Sequence, residues 1–183
     1  MSELYLIRHG RTEANEKWLY CGSTDLFLSE KGAEDLKYIS YAVPENTVFI
    51  TSGMNRTEQT LKILFGDVPH KIDDRFREVN FGIFEMKSYE SLKEQADYQE
   101  WISGDNEKNV PPNGESGEQM KKRVLKGLQE LEKEACPVVL VCHGGVIATI
   151  MEHLYPGEDR NRYQWQPKPG HGYLIKEGNY QEI

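Results

Sequence analysis

Cysteine is scarce in this chain. Cys21, Cys136 and Cys142 are the only three, an odd number with no pair at metal-ligand spacing. That usage predicts a reduced, cytosolic protein. No apolar run approaches the roughly 18 residues that cross a membrane, and the first residues lack the charged start and apolar stretch of a secretory leader. A soluble, unprocessed chain is expected. Cations are outnumbered, 22 Lys and Arg against 30 Asp and Glu, for a formal charge of −8. The overall field would repel nucleic acid and anionic membranes, so neither is expected as a partner, although a local basic pocket stays compatible. Repeats, low-complexity tracts and domain-dividing linkers are also missing. At 183 residues the chain is expected to form one domain.

What is present are three short apolar runs, "LYLI" (Leu4 to Ile7), "TVFI" (Thr47 to Ile50) and "PVVLVC" (Pro137 to Cys142). None alternates with polar residues, which is the pattern of strands buried on both faces in a parallel sheet. Between them, Met54, Thr57, Leu61, Leu64 and Phe65 recur at helical spacing, as do Met120, Val124, Leu128 and Leu131. The second helix opens at a capping box, Ser116 with Gln119. Alternating strands and helices predict an α/β fold. Glu85 to Trp101 reads as a further helix and Gly104 to Gly114 as a polar loop, together a small cap-like insertion over roughly 85–114. "GYLIKEGNYQEI" reads as an edge hairpin turning near Gly178.

Each central run ends in chemistry. "LYLI" leads into Arg8, His9 and Gly10, "TVFI" into Thr51, Ser52 and a helix carrying Arg56, and "PVVLVC" into His143, Gly144 and Gly145. Ligands of open parallel sheets bind beyond the carboxyl ends of the strands, so the two arginines and two histidines are candidates for one site. Two arginines suit bidentate phosphate binding, and the glycines let main chain come close. Phosphate is the expected ligand class. For His9 alone a surface Arg-His pair would be the simpler reading, but the second His-Gly at an equivalent strand tip reverses that preference.

At this point the sequence resembles the histidine phosphatase superfamily, which includes the phosphoglycerate mutase-like enzymes. "RHGRTEAN" is similar to the family's RHG-x-T-x-x-N signature, and "GSTDLFLSEKG", "TSGMNRTEQT", "REVNFGIFE", "PNGES" and "VCHGG" follow in the family's order. The resemblance implies a three-layer α/β/α fold, a mainly parallel central sheet with helices on both faces and a small helical cap. It implies a nucleophile, His9, that forms a phosphohistidine, with Arg8, Arg56 and His143 on the non-bridging oxygens. Asn15, Cys21, Gly22 and Gly144 fall in segments that meet phosphate or substrate. Glu78 matches the family's acid/base; the residues alone leave Asp73, Asp74, Glu78 and Glu85 as alternatives. No metal and no cofactor are implied.

The activity so implied is hydrolysis of a small phosphorylated metabolite, and the short chain resembles most the adenosylcobalamin/α-ribazole phosphatase and broad-specificity phosphatase branch. A phosphoglycerate mutase is the first alternative, and a non-catalytic phospholigand-binding module the second. The chain departs from the family's frequent FG-x-W-E-G at Phe84 and Met86, a region expected to shape the substrate pocket. His70 and His153 read as surface histidines, and His171 is open between site and surface.

Overall fold

The computed structural model describes residues 3–105 and 107–183. Strands β1 (Glu3–Arg8), β2 (Val48–Thr51), β3 (His70–Ile72), β4 (Val138–Cys142), β5 (Gly172–Lys176) and β6 (Asn179–Glu182) form one sheet in the order β3-β2-β4-β1-β5-β6. The first four are mutually parallel, with Ile7 opposite Val141 and Ile50 opposite Leu140. β5 runs antiparallel to β1 and turns at Glu177 and Gly178 into β6, so the expected hairpin closes one side of the sheet.

Period-two alternation explains why the central runs look continuously apolar. Leu4, Leu6, Val138, Leu140 and Cys142 face one layer, where they pack with Val124 and Leu128 of α6 (Gly117–Leu131) and Val146 and Ile150 of α7 (Gly144–Leu154). Tyr5, Ile7, Val139 and Val141 face the other, against Leu61 and Leu64 of α3 (Asn55–Phe65). Helices on both faces of a mostly parallel sheet make the three-layer α/β/α architecture. α6 begins at the predicted capping box, with Ser116 and Gln119 exchanging side-chain and backbone bonds.

Several elements differ from the sequence expectation. β3 carries no apolar run because all three of its residues are exposed at the sheet edge. α1 (Glu13–Glu16) and α2 (Glu30–Leu36) were not anticipated; both are short, and each starts at a side-chain cap, Thr12 and Ser29. The single helix expected from Glu85 is instead two, α4 (Tyr89–Leu92) and α5 (Ala96–Ile102), each with its own start, Ser88 capping the first. They pack a separate aromatic cluster of Phe84, Leu92 and Tyr98, ringed by Tyr20, Phe81 and Trp101.

Candidate active site

β1, β2 and β4 are parallel, so their carboxyl ends share one edge and deliver Arg8, Ser52 and His143 side by side. His9 is 5% exposed and His143 fully buried, their rings 5.1 Å apart in an edge arrangement. Burying two imidazoles beside two guanidinium groups is tolerable only if the rings stay neutral. The pKa of His9 is held well below the usual histidine range by burial first, then by Arg56 and Arg8, and His143 is depressed by burial and Arg56 in the same way.

Hydrogen bonding settles which nitrogen carries each proton. Nδ1 of His9 lies 2.7 Å from the Gly10 carbonyl, which only accepts, so Nδ1 holds the hydrogen and Nε2 keeps a free lone pair. At His143, Nε2 is 2.8 Å from Ser52 Oγ, and Ser52 Oγ is 3.1 Å from Thr57 Oγ1, which itself donates to the Met54 carbonyl at 2.7 Å. With the Thr57 hydrogen spent on Met54, the buried chain runs His143 Nε2–H to Ser52 to Thr57. Arg56 Nε then donates to His143 Nδ1 at 3.3 Å. Ser52→Ala is expected to lower turnover about tenfold, the cost of one hydrogen bond that orients the ring. Steady-state rates check it, with a lowered thermal midpoint expected beside them because the buried His143 Nε2–H loses its acceptor.

Arg56, 1% exposed, enters from the first turn of α3. Its Nη1 and Nη2 donate to the Thr24 and Gly22 carbonyls at 2.9 and 2.7 Å, which compensates burial of the charge and aims the guanidinium at the histidines. Gly22 therefore reaches the site through Arg56. Its own N–H is taken by Glu85, and an added Cβ would stand 1.6 Å from the Val79 carbonyl oxygen. Arg8 Nη1 donates to the Pro167 carbonyl at 2.8 Å, while its buried Nε has no protein acceptor. Such a donor suits an anion.

Glu78 lies in the loop that follows β3, the strand without a sequence signal. Its Oε2 accepts from the Gly145 N–H at 2.9 Å, and a Cβ at Gly145 would approach Oε1 to 2.5 Å. A side chain at the second glycine after His143 would push the carboxylate from this position. Arg123 of α6 clamps the loop, donating to the Arg75, Arg77 and Glu78 carbonyls while paired with Glu115. The other carboxylates are occupied or remote: Asp73 binds Arg75, and Asp74 is exposed. Burial alone would raise the Glu85 pKa, but bonds from Thr24 Oγ1 and the Phe81, Gly22 and Ser23 N–H groups outweigh it and hold the carboxyl low. Glu85 organises the loop that holds Arg56.

A cavity of about 320 Å³ opens over this edge, lined by Arg8, Asn15, Cys21, Glu78, Gly145 and Trp101 among others. Asn15 Oδ1 accepts from the Thr12 N–H at 2.9 Å, which leaves the amide hydrogens for a ligand. Cys21 Sγ points to the Thr24 carbonyl at 3.6 Å, and Gly144 sits where a Cβ would meet the Arg8 guanidinium at 3.1 Å. Of the segment that departs from the family pattern, Phe81 lines the cavity whereas Phe84 and Met86 do not: Phe84 is buried in the cap cluster, and Met86 adopts φ 60°, the backbone a glycine would take there. His171 is exposed, its Nδ1 3.3 Å from the Ile183 carbonyl; its own carbonyl accepts from the Arg8 N–H at 2.9 Å, but it does not line the cavity. The supporting roles of Ser52, Thr57 and Arg123 were not read from the sequence, and Glu85 was read only as an alternative acid/base. Their only signal is proximity in space.

Two neutral histidines, the buried Arg56, the half-buried Arg8 and one carboxylate at the tips of a parallel sheet define an α/β protein that handles phosphate. Comparison with known proteins narrows this class. The chain belongs to the histidine phosphatase superfamily (branch 1), whose model matches residues 4–176. It is 31% identical over 160 residues to the adenosylcobalamin/alpha-ribazole phosphatase of Salmonella typhimurium, covering 82% of this chain and 78% of that protein. It is 30% identical over 163 residues to a probable phosphoglycerate mutase of Escherichia coli, covering 84% and 75%. Among solved structures, a putative alpha-ribazole-5'-P phosphatase from Escherichia coli superposes with TM-score 0.84 at 24% identity, covering 100% of this chain and 94% of that one. A phosphoglycerate mutase from Thermus thermophilus superposes at 0.74 with 28% identity, covering 99% and 96%.

Proposed function

We propose that the chain is a single-domain, cytoplasmic, metal-independent phosphatase that hydrolyses a small phosphorylated metabolite through a phosphohistidine on His9. The observation that carries the reading is the neutral His9, its Nδ1–H fixed on Gly10 and its Nε2 free between two guanidinium groups. Nε2 attacks phosphorus as the ester P–O bond breaks, and the leaving oxygen takes the proton of the Glu78 carboxyl. Water then attacks the phosphohistidine, Glu78 accepts its proton, and the P–N bond breaks to restore His9. Charge spread over the non-bridging oxygens in both steps is met by Arg8 and Arg56, so this chain supplies the positive charge itself. The relatives named alpha-ribazole phosphatases support that substrate among the candidates. Three free cysteines support a reducing compartment.

The test is phosphate release from p-nitrophenyl phosphate in excess EDTA, followed by a panel of phosphomonoesters. Activity that survives chelation is expected; activity lost with EDTA would overturn the mechanism. Glu78→Gln is expected to lower turnover of alkyl phosphates by roughly 10²–10⁴-fold. The first step with p-nitrophenyl phosphate should suffer less, because that leaving group barely needs a proton. Equal first-step losses in single turnover would remove Glu78 from the acid role. Relatives named as mutases favour a second reading, in which the phosphoryl group returns to another hydroxyl of the substrate. Fast interconversion of 2- and 3-phosphoglycerate with little phosphate release would establish it instead.

A further inference from the structure

β1 ends at Arg8, and the His9 N–H makes one more bond to the neighbouring strand, reaching the Cys142 carbonyl at 3.0 Å. The next donor, the Gly10 N–H, is buried and has left the sheet. A buried N–H without a partner is costly, so an acceptor is needed there. It comes from α3: Thr60 Oγ1 lies 2.9 Å from the Gly10 nitrogen. Leu36 and Leu28 pack close by, and a Cβ on Gly10 would meet Leu36 Cδ1 at 2.7 Å. The glycine is confined between a helix hydroxyl and leucine side chains.

Threonine is a modest helix former, and a buried hydroxyl is worth having over a methyl only if it is bonded. Two buried threonines, Thr57 and Thr60, share the face of α3 that carries Arg56. Each spends its single hydrogen on its own helix, Thr57 on the Met54 carbonyl and Thr60 on the Arg56 carbonyl, both at 2.7 Å. What remains on each oxygen is a lone pair, so toward the rest of the protein each can only accept. Thr57 meets Ser52 and through it His143; Thr60 meets Gly10 and through it His9. The Gly10 carbonyl is the group that holds the Nδ1–H of His9. Valine at position 60 would fill the same space and leave the Gly10 N–H bare.

We infer that Thr60 is a positioning residue for the nucleophile: by accepting from the Gly10 N–H it fixes the glycine whose carbonyl orients the His9 ring, so that the Nε2 lone pair faces the phosphoryl group. Thr60 does not line the cavity over Glu78, so its effect on the reaction passes through Gly10. The assignment rests on the phosphatase reading for the step that Thr60 serves, attack of Nε2 on phosphorus.

Thr60→Val and Thr60→Ser, measured side by side, separate orientation from packing. The valine keeps the volume and loses the acceptor, whereas the serine keeps the acceptor and loses a methyl. In single turnover with p-nitrophenyl phosphate, Thr60→Val is expected to slow formation of phosphohistidine about tenfold or more, the scale of one buried donor left unsatisfied. Thr60→Ala removes the acceptor by another route and should show the same loss. The inhibition constant of inorganic phosphate should not change, because Arg8 and Arg56 keep their contacts. Thr60→Ser should keep the native first-step rate even if the lost methyl lowers its thermal midpoint. Nitrogen NMR of the protein labelled in histidine, with His9→Ala to assign the signal, reads the ring directly. The native protein is expected to show the Nδ1–H tautomer at His9, and Thr60→Val to mix in the other. A native first-step rate in Thr60→Val, equal losses in the valine and serine variants, or a His9 tautomer that Thr60→Val leaves unchanged would overturn the assignment. An inactive native protein would defeat the phosphatase reading instead, and the tautomer, which needs no turnover, would still decide the role of Thr60.

Discussion

His9→Ala is expected to abolish turnover, with a loss on the order of 10⁴-fold or more for every substrate. The size follows from the role: the variant lacks the atom that would bond to phosphorus, and no second imidazole can replace it. His143 is 5.1 Å away between ring centres, but its Nε2–H is committed to Ser52 and its Nδ1 faces Arg56. Phosphate affinity should fall little, since Arg8 and Arg56 remain. The depressed pKa carries a further expectation for the native protein. Burial, Arg56 and Arg8 disfavour the protonated ring, so His9 stays neutral as pH falls through the ordinary histidine range near 6.5. An acid limb in that range with the amplitude of His9 protonation would contradict this.

Arg56→Ala is expected to cost on the order of 10³-fold in kcat/KM, the scale seen where an arginine stabilises a transferring phosphoryl group. Two losses coincide there. The transition state loses a buried positive charge, and the Gly22 and Thr24 carbonyls and His143 Nδ1 lose their donor. Arg56→Lys should recover little, because one ammonium cannot meet three acceptors in the planar arrangement a guanidinium provides. Steady-state rates with p-nitrophenyl phosphate measure both variants, and a loss below tenfold for Arg56→Ala would remove the residue from the site.

The central strands were legible because burial on both faces leaves continuous apolar runs, as in Leu4 to Ile7 and Val138 to Cys142. β3 left no such trace, since His70, Lys71 and Ile72 are exposed at the sheet edge and the strand is defined by pairing with β2. The residues at the strand tips could be grouped from sequence because parallel strands end at one edge. Residues that hold them could not. Ser52 and Thr57 look like ordinary loop and helix polar residues until the chain folds them against His143, and Arg123 looks like one more cation in a charged helix. The cap was misjudged as one helix because Ser88 and Gln95 start two short ones, and because packing of Phe84, Leu92 and Tyr98 outweighs local periodicity.

Rapid-quench labelling addresses the account at its centre. The native protein is mixed with a phosphate ester labelled on phosphorus, in excess EDTA, and stopped within a turnover by alkali, in which phosphohistidine persists. The account predicts label on His9 that forms and decays at rates sufficient for steady-state turnover, and none in His9→Ala. Turnover with no label on the protein at any time point would mean that water attacks the ester directly, and label on another residue would move the nucleophile away from His9; either result would contradict the account.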